Sequence, residues 1–306
     1  VKHETQSFYE RAVERALTLL VAHLDDALDL ERLARHAALS PFHFHRIFRG
    51  MVGETPLELH RRLRLERAAE QLLKTDTLVT TLALDAGYDT HEAFTRAFRQ
   101  HYGYPPTELR KARLGGVGCG RPHQIEIAAP SGVHFCADPG GYDLSHFIRG
   151  EHHMDVIVEN RPELRTATVR HVGPYHRISE AFARLGALAG PAGLLEPKPV
   201  MLAIYHDDPE VTPEVELRSD AAIVVAEEAK LPPGLVEQRV PGGRYARTTH
   251  IGPYTQVGDA WARFMGQWLP RSGERLGDGV SYEIYVNNPS EVPAEKLHTD
   301  LYLPLA

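Results

Sequence analysis

The chain has 306 residues, 42% of them apolar, and a formal charge of −7, enough length and apolar content for two domains with real cores. No apolar run approaches membrane-spanning length and no signal peptide is expected at the first residues. Only Cys119 and Cys136 occur, both in a poorly patterned stretch, so no disulfide framework is indicated and a cytoplasmic setting is expected.

In chain order, the first expected element is an amphipathic helix with Val13, Leu17, Leu20, Val21 and Leu24 on one face. A pattern then occurs twice, over Leu33–Arg49 and Leu82–Arg99: Leu-Ala, a polar stretch, a small turn residue, a capping residue, and Phe-x-Arg-x-Phe-Arg or a close variant. In the first copy Ala38 and Leu39 form the turn, Ser40 caps, and Pro41 suits the first helical position. Phe44, Ile47 and Phe48 face inward, leaving Phe42, His45, Arg46 and Arg49 outward or on the flanks. In the second copy Gly87 makes the turn, with one extra turn residue before Thr90; Asp89 and Glu92 form a capping box, and Phe94 and Phe98 are buried. Between the copies, Thr55-Pro56-Leu57-Glu58 is a capping box opening a helix from about Pro56 to Leu73. At about 1.5 Å per residue that spacer is roughly 27 Å long. With its flanking turns it can hold two recognition helices about 34 Å apart, one turn of B-DNA.

The helical period is lost from Leu114 to about Met154, and Gly115–Gly120 reads as a connector. The histidines and cysteine that follow, His134, Cys136, His146, His152 and His153, match no zinc-ligand spacing, so no metal is expected. A second duplication lies beyond. Arg165-Thr166-Ala167, His171-Val172-Gly173-Pro174-Tyr175 and Ala181-Phe182-Ala183-Arg184-Leu185 are echoed by Arg244-Tyr245-Ala246, His250-Ile251-Gly252-Pro253-Tyr254 and Ala260-Trp261-Ala262-Arg263-Phe264. Each copy predicts a strand, a Gly-Pro turn and a helix. Further strands are predicted at Met154–Glu159, Val200–Tyr205, Ala221–Val225, Tyr282–Val286 and Leu301–Leu303, giving an α+β domain with a groove where the halves meet. On the strand at Tyr282–Val286, Tyr282, Ile284 and Val286 share one face and Glu283 and Tyr285 the other; with the apolar trio packed on the helices, Glu283 is expected to point to the groove beside aromatic rings.

Residues 1–112 carry 16 basic and 16 acidic side chains, so the whole −7 lies beyond them. A neutral reader implies modest non-specific affinity and recognition through a few placed arginines.

These motifs identify two resemblances. Residues 1–112 resemble the DNA-binding domain of the AraC/XylS regulators, through Leu33-Ala34, Phe44-His45-Arg46-Ile47-Phe48, Arg61–Ala69, Phe94-Thr95-Arg96-Ala97-Phe98 and Gly103-Tyr104-Pro105-Pro106. The resemblance implies an all-α, homeodomain-like double helix-turn-helix fold. It also implies base contacts from Phe42, His45 and Arg46, and from His91, Glu92, Thr95 and Arg96. Arg46 and Arg96 suit guanine, and Phe42 suits a thymine methyl; Glu92 is also explained by capping. Arg49, Arg61, Arg62, Lys74, Arg99 and Lys111 are the expected phosphate contacts. Intrahelical pairs, Arg62 with Glu66 or Arg67 with Glu70, compete for this basic set.

Residues 154–306 resemble the GyrI-like small-molecule-binding domain through the duplicated His-x-Gly-Pro-Tyr motifs, Ala203–Pro209, Pro241–Tyr245, Tyr282–Tyr285 and Thr299–Pro304. Ala203 stands where that family commonly has glycine. The order, reader first and sensor second with residues 113–153 between, resembles the Rob type of regulator. This implies a multidomain transcription activator acting on double-stranded promoter DNA with RNA polymerase, as monomer or homodimer, with no cofactor and no membrane. Its effector is expected to be an aromatic or cationic small molecule held by Glu283, Tyr285, Tyr205 and Trp261. The alternatives from other classes are a GyrI-like hydrolase acting on small electrophiles and a DNA binder with a ligand-independent, vestigial sensor.

Overall fold

The computed structural model describes residues 2–114, 133, 154–207 and 212–306. The chain forms two compact units. One comprises Val1–Tyr9, Pro41–Arg46 and Glu151–Ala306; the other comprises Glu10–Ser40 and Ile47–Gly150. Cys119, Cys136, His134, His146, His152, His153 and the glycine-rich connector lie outside the described residues.

The helices of the N-terminal region are α1 (Lys2–Ala22), α2 (Leu30–Ala37), α3 (Pro41–Val52), α4 (Pro56–Lys74), α5 (Val79–Asp85), α6 (His91–Tyr102) and α7 (Pro106–Leu114). Local chemistry explains their ends. The Asp29 carboxylate accepts from the Arg32 amide at 2.8 Å and opens α2. Ala38 closes it in the left-handed region at φ 58°, the Leu39 amide reaching back to the Ala34 carbonyl at 3.0 Å. The capping box at Thr55 and Glu58 is present in both directions, and α4 runs one residue beyond the predicted end. At the second turn Gly87 has φ +79°, and a β-carbon there would lie 2.6 Å from Nη1 of Arg64. The turn therefore favours glycine for its backbone angle, since the crowding atoms are the movable end of the Arg64 side chain.

The core under the second helix-turn-helix joins Leu65, Ala68 and Leu72 of α4 to Leu82, Phe94, Phe98 and Leu109 from the three following helices. Phe44, Ile47 and Phe48 of the first are likewise fully buried, as the helical period predicts.

The other unit is an eight-stranded antiparallel sheet of β1 (Ile157–Arg161), β2 (Leu164–Val172), β3 (Met201–Tyr205), β4 (Arg218–Val224), β5 (Val236–Val240), β6 (Gly243–Ile251), β7 (Tyr282–Tyr285) and β8 (His298–Pro304). Their spatial order is β1-β6-β8-β7-β3-β4-β2-β5. The helix α8 (Ser179–Ala189) follows β2. After β6 come α9 (Val257–Arg263), a π-helical turn at Phe264–Trp268 and the short α10 (Leu269–Ser272). At the middle of the sheet β3 pairs with β7, placing Ala203 directly opposite Glu283. The strand β5 has no counterpart among the predicted strands. It is an edge strand of sequence Val-Glu-Gln-Arg-Val whose first valine is exposed, so its composition reads as loop.

The two faces of the sheet correct one expectation. Ala203, Ala221, Ile223, Tyr205 and Tyr285 share the face that packs on Ala181 and Leu185 of α8. Tyr282, with Ile284 packed beside it, belongs to a separate cluster with Leu202, Tyr245 and Tyr302, and Val286 is exposed. The trio Tyr282, Ile284 and Val286 therefore does not pack on the helices; the face of β7 carrying Glu283 and Tyr285 does. Period two sorts side chains into two faces but does not say which face a helix covers.

Candidate functional site

The second recognition helix, α6, starts one residue later than the predicted capping box. The Thr90 hydroxyl accepts from the Ala93 amide at 3.1 Å, so Thr90 is the cap and the third helical position is Ala93. Glu92 is thus relieved of the capping role and stands exposed at the second helical position, with Arg96 and Arg99 also exposed. No hydrogen bond or ion pair holds the Arg96 guanidinium among the described residues. His91 and Thr95 are half-buried.

The expected phosphate set divides. Arg61 and Lys111 are exposed, Arg49 is half-buried, and Lys74 is exposed but paired with Glu70. Arg62 does not belong to the set. It is 5% exposed, with Nε 3.0 Å from Oε2 of Glu54, Nη1 2.9 Å from Oε1 of Glu66, and Nη2 donating to the Val133 carbonyl at 2.7 Å. A guanidinium so enclosed ties α4 to the preceding turn, and its burial keeps it from a phosphate on the surface. The helical spacing to Glu66 was legible; the burial was not. Arg67 pairs with Asp25 in place of Glu70.

The first recognition helix differs from the second. His45, expected on an outward flank, is 3% exposed and so is not available to a base edge in this arrangement. Its segment, Pro41–Arg46, belongs to the same compact unit as the sheet. The Phe42 side chain lies outside the described ones. Burial and the neighbouring Arg46 charge lower the His43 imidazole to about 4, keeping it neutral. The Arg46 guanidinium carbon lies 5.1 Å from the centre of the Trp261 ring.

Trp261 belongs to the second constellation. From α9 its Nε1–H donates to Oε1 of Glu283 at 2.7 Å, both side chains being almost fully buried. The Tyr285 hydroxyl donates to the other carboxylate oxygen at 3.3 Å and lies 3.0 Å from the Tyr205 hydroxyl. The structure thus brings together all four residues expected of the pocket. Burial raises the Glu283 carboxyl above the usual carboxylate range, opposed by the Trp261 hydrogen bond and the Arg46 charge. The same burial, and the proximity of Glu283, push the Tyr205 and Tyr285 hydroxyls well up.

Three aromatic neighbours escaped the sequence reading. Tyr175 meets Tyr205 edge-on at 4.7 Å, Phe182 meets Tyr285 at 5.5 Å, and Tyr254 meets Tyr285 at 5.2 Å. The signal for them was present in the duplication, where Tyr175 matches Tyr254 and Phe182 matches Trp261. Applied to the central strands, the same matching sets Ala203-Ile204-Tyr205 against Glu283-Ile284-Tyr285. The aromatic positions are doubled, whereas the acid has alanine as its counterpart. The result is a cluster of aromatic side chains around a single buried carboxylate.

Helix-turn-helix pairs in one region and a sheet with this enclosed acid in the other define a DNA-binding regulator with a small-molecule-binding domain. Residues 154–306 match the family model described as a GyrI-like small molecule binding domain, and residues 33–112 match that of a helix-turn-helix domain. The chain is 36% identical over 142 residues to a DNA gyrase inhibitor of Yersinia enterocolitica, covering 43% of this chain and 85% of that protein. It is 37% identical over 103 residues to the HTH-type transcriptional regulator YbfP of Bacillus subtilis, 34% of this chain and 35% of that one. The crystal structure of the EcmrR C-terminal domain is similar at 20% identity and a TM-score of 0.44, covering 50% of this chain and 98% of that chain. The chain belongs to the GyrI-like family, its GyrI-like domain following an AraC-type helix-turn-helix domain. No helix of the described residues is long and apolar enough to cross a membrane.

Proposed function

We propose that this regulator is controlled by an aromatic cation that binds at Glu283. In this reading Arg46 and Arg96 read guanines in successive major grooves, and His91, Glu92 and Thr95 complete the second helix's base contacts. The remaining exposed or half-exposed basic residues, Arg49, Arg61, Lys74, Arg99 and Lys111, hold the phosphates. RNA polymerase is the second macromolecular partner. Residues 1–112 act as reader and 154–306 as sensor.

The observation that carries the reading is the buried carboxylate of Glu283, enclosed by Trp261, Tyr205 and Tyr285. A carboxyl group withdrawn from water is destabilised as an anion, and a desolvated cation arriving between aromatic faces compensates it. Calorimetry with phenyltrimethylammonium and its neutral isostere tert-butylbenzene is the test. The cation is expected to bind at least tenfold more tightly than the isostere to the native protein, and Glu283→Gln to abolish that preference. Equal affinities in the native protein would overturn the reading.

The hydrolytic reading rests on the same atoms, a carboxyl with a raised pKa beside the Tyr285 hydroxyl. Turnover of a small electrophile such as an epoxide, lost in Glu283→Gln, would favour it over sensing.

A further inference from the structure

A site suited to a cation already has one of the chain's own cations against its wall. Arg46 lies over Trp261, the indole whose N–H is bonded to Glu283, and its segment Pro41–Arg46 is part of the same compact unit as the sheet. The guanidinium is flat, delocalised and weakly hydrated, the side-chain cation best matched to an aromatic face. Arg46 is also the residue of α3 best suited to donate two hydrogen bonds to guanine, so one guanidinium has two incompatible uses. Its counterpart in α6, Arg96, is exposed and unpaired among the described residues.

We propose that Arg46 is a tethered occupant of the cation site: the side chain and a cationic ligand compete for the Trp261 face, and ligand binding releases Arg46 for DNA. This rests on the reading of Glu283 and Trp261 as a cation site and specifies how that site is regulated. The ligand then has different affinities for the docked and released arrangements of the Arg46 side chain, which is the condition for any ligand to shift an equilibrium. The docked side chain lowers the apparent ligand affinity by the fraction of molecules in which the site is free. If Arg46 is docked in about nine molecules of ten, removing it tightens ligand binding about tenfold.

The experiment uses the full chain and phenyltrimethylammonium. Calorimetry is run on the native protein, Arg46→Ala, Arg46→Gln and, as an exposed-arginine control, Arg96→Ala. Both Arg46 variants are expected to bind the cation about tenfold more tightly, with Arg96→Ala unchanged. In parallel, the native protein is treated with phenylglyoxal, which modifies accessible arginines, and the rates at Arg46 and Arg96 are followed by peptide mass spectrometry. Arg46 is expected to react more slowly than Arg96, and saturating phenyltrimethylammonium to raise its rate several-fold while leaving Arg96 alone. Weaker or equal ligand binding by the Arg46 variants overturns the competition, as does stronger protection of Arg46 by ligand. That result leaves the cation site standing, because Glu283→Gln still abolishes the native protein's preference for the cation over tert-butylbenzene. Absence of cation binding in the native protein and in both Arg46 variants removes the site and with it this inference.

Discussion

Two recognition helices of one chain carry nearly the same sequence, Phe44-His45-Arg46-Ile47-Phe48 and Phe94-Thr95-Arg96-Ala97-Phe98, and have unlike surroundings. In α6 the helix start is fastened by Thr90, the phenylalanines are buried, and Arg96 is open to solvent. In α3 the phenylalanines are buried as well, but His45 is covered and Arg46 rests on Trp261. The inward positions of a helix are set by its own period, which both copies share. What meets the outward positions is set by the rest of the chain, and there the copies part. A motif thus specifies how a helix packs on its own module more firmly than it specifies what its exposed residues are doing.

Arginines in three settings make this contrast measurable. The largest effect is expected at Arg62, which shares the basic stretch at the start of α4 with exposed Arg61. Arg62→Ala strands the buried Glu54 and Glu66 carboxylates and should lose roughly 3–5 kcal/mol of folding stability. Chemical denaturation checks this, with Arg61→Ala expected within about 0.5 kcal/mol of the native protein. Equal stabilities for the two variants would mean that the burial of Arg62 has no energetic weight. Next comes Arg96→Ala, expected to lose roughly 1–3 kcal/mol of binding to a specific site selected from random DNA, with ligand affinity unchanged. An equal loss on non-specific DNA would move Arg96 to the phosphate-contacting class. The smallest effect tests the start of α6: Thr90→Ala should cost about 1 kcal/mol of stability and Asp89→Ala clearly less, by thermal unfolding. The reverse order would restore the capping box one residue earlier.

The errors of sequence reading are of one physical kind. Glu283 could be singled out because an acid alternates with apolar residues on a strand, yet the same alternation left open which face met the helices. Arg62 and Arg61 are adjacent basic residues in a basic stretch; only packing against Glu54 and the Val133 carbonyl separates them. β5 escaped because an edge strand's ladder partners, here on β2, carry no trace in its own composition.

By itself the sequence determined the features that depend on near neighbours: the turns at Ala38 and Gly87, the Thr55–Glu58 capping box and the inward phenylalanines. Helix periods, caps and left-handed turn positions act within a few residues and are written locally. The tertiary structure alone decided the enclosure of Arg62, the covering of the Glu283 face by helices, the hydrogen bond from Trp261 and the position of Arg46 above that ring. Each of these joins residues distant in sequence, and burial and charge pairing depend on the distance between atoms in space.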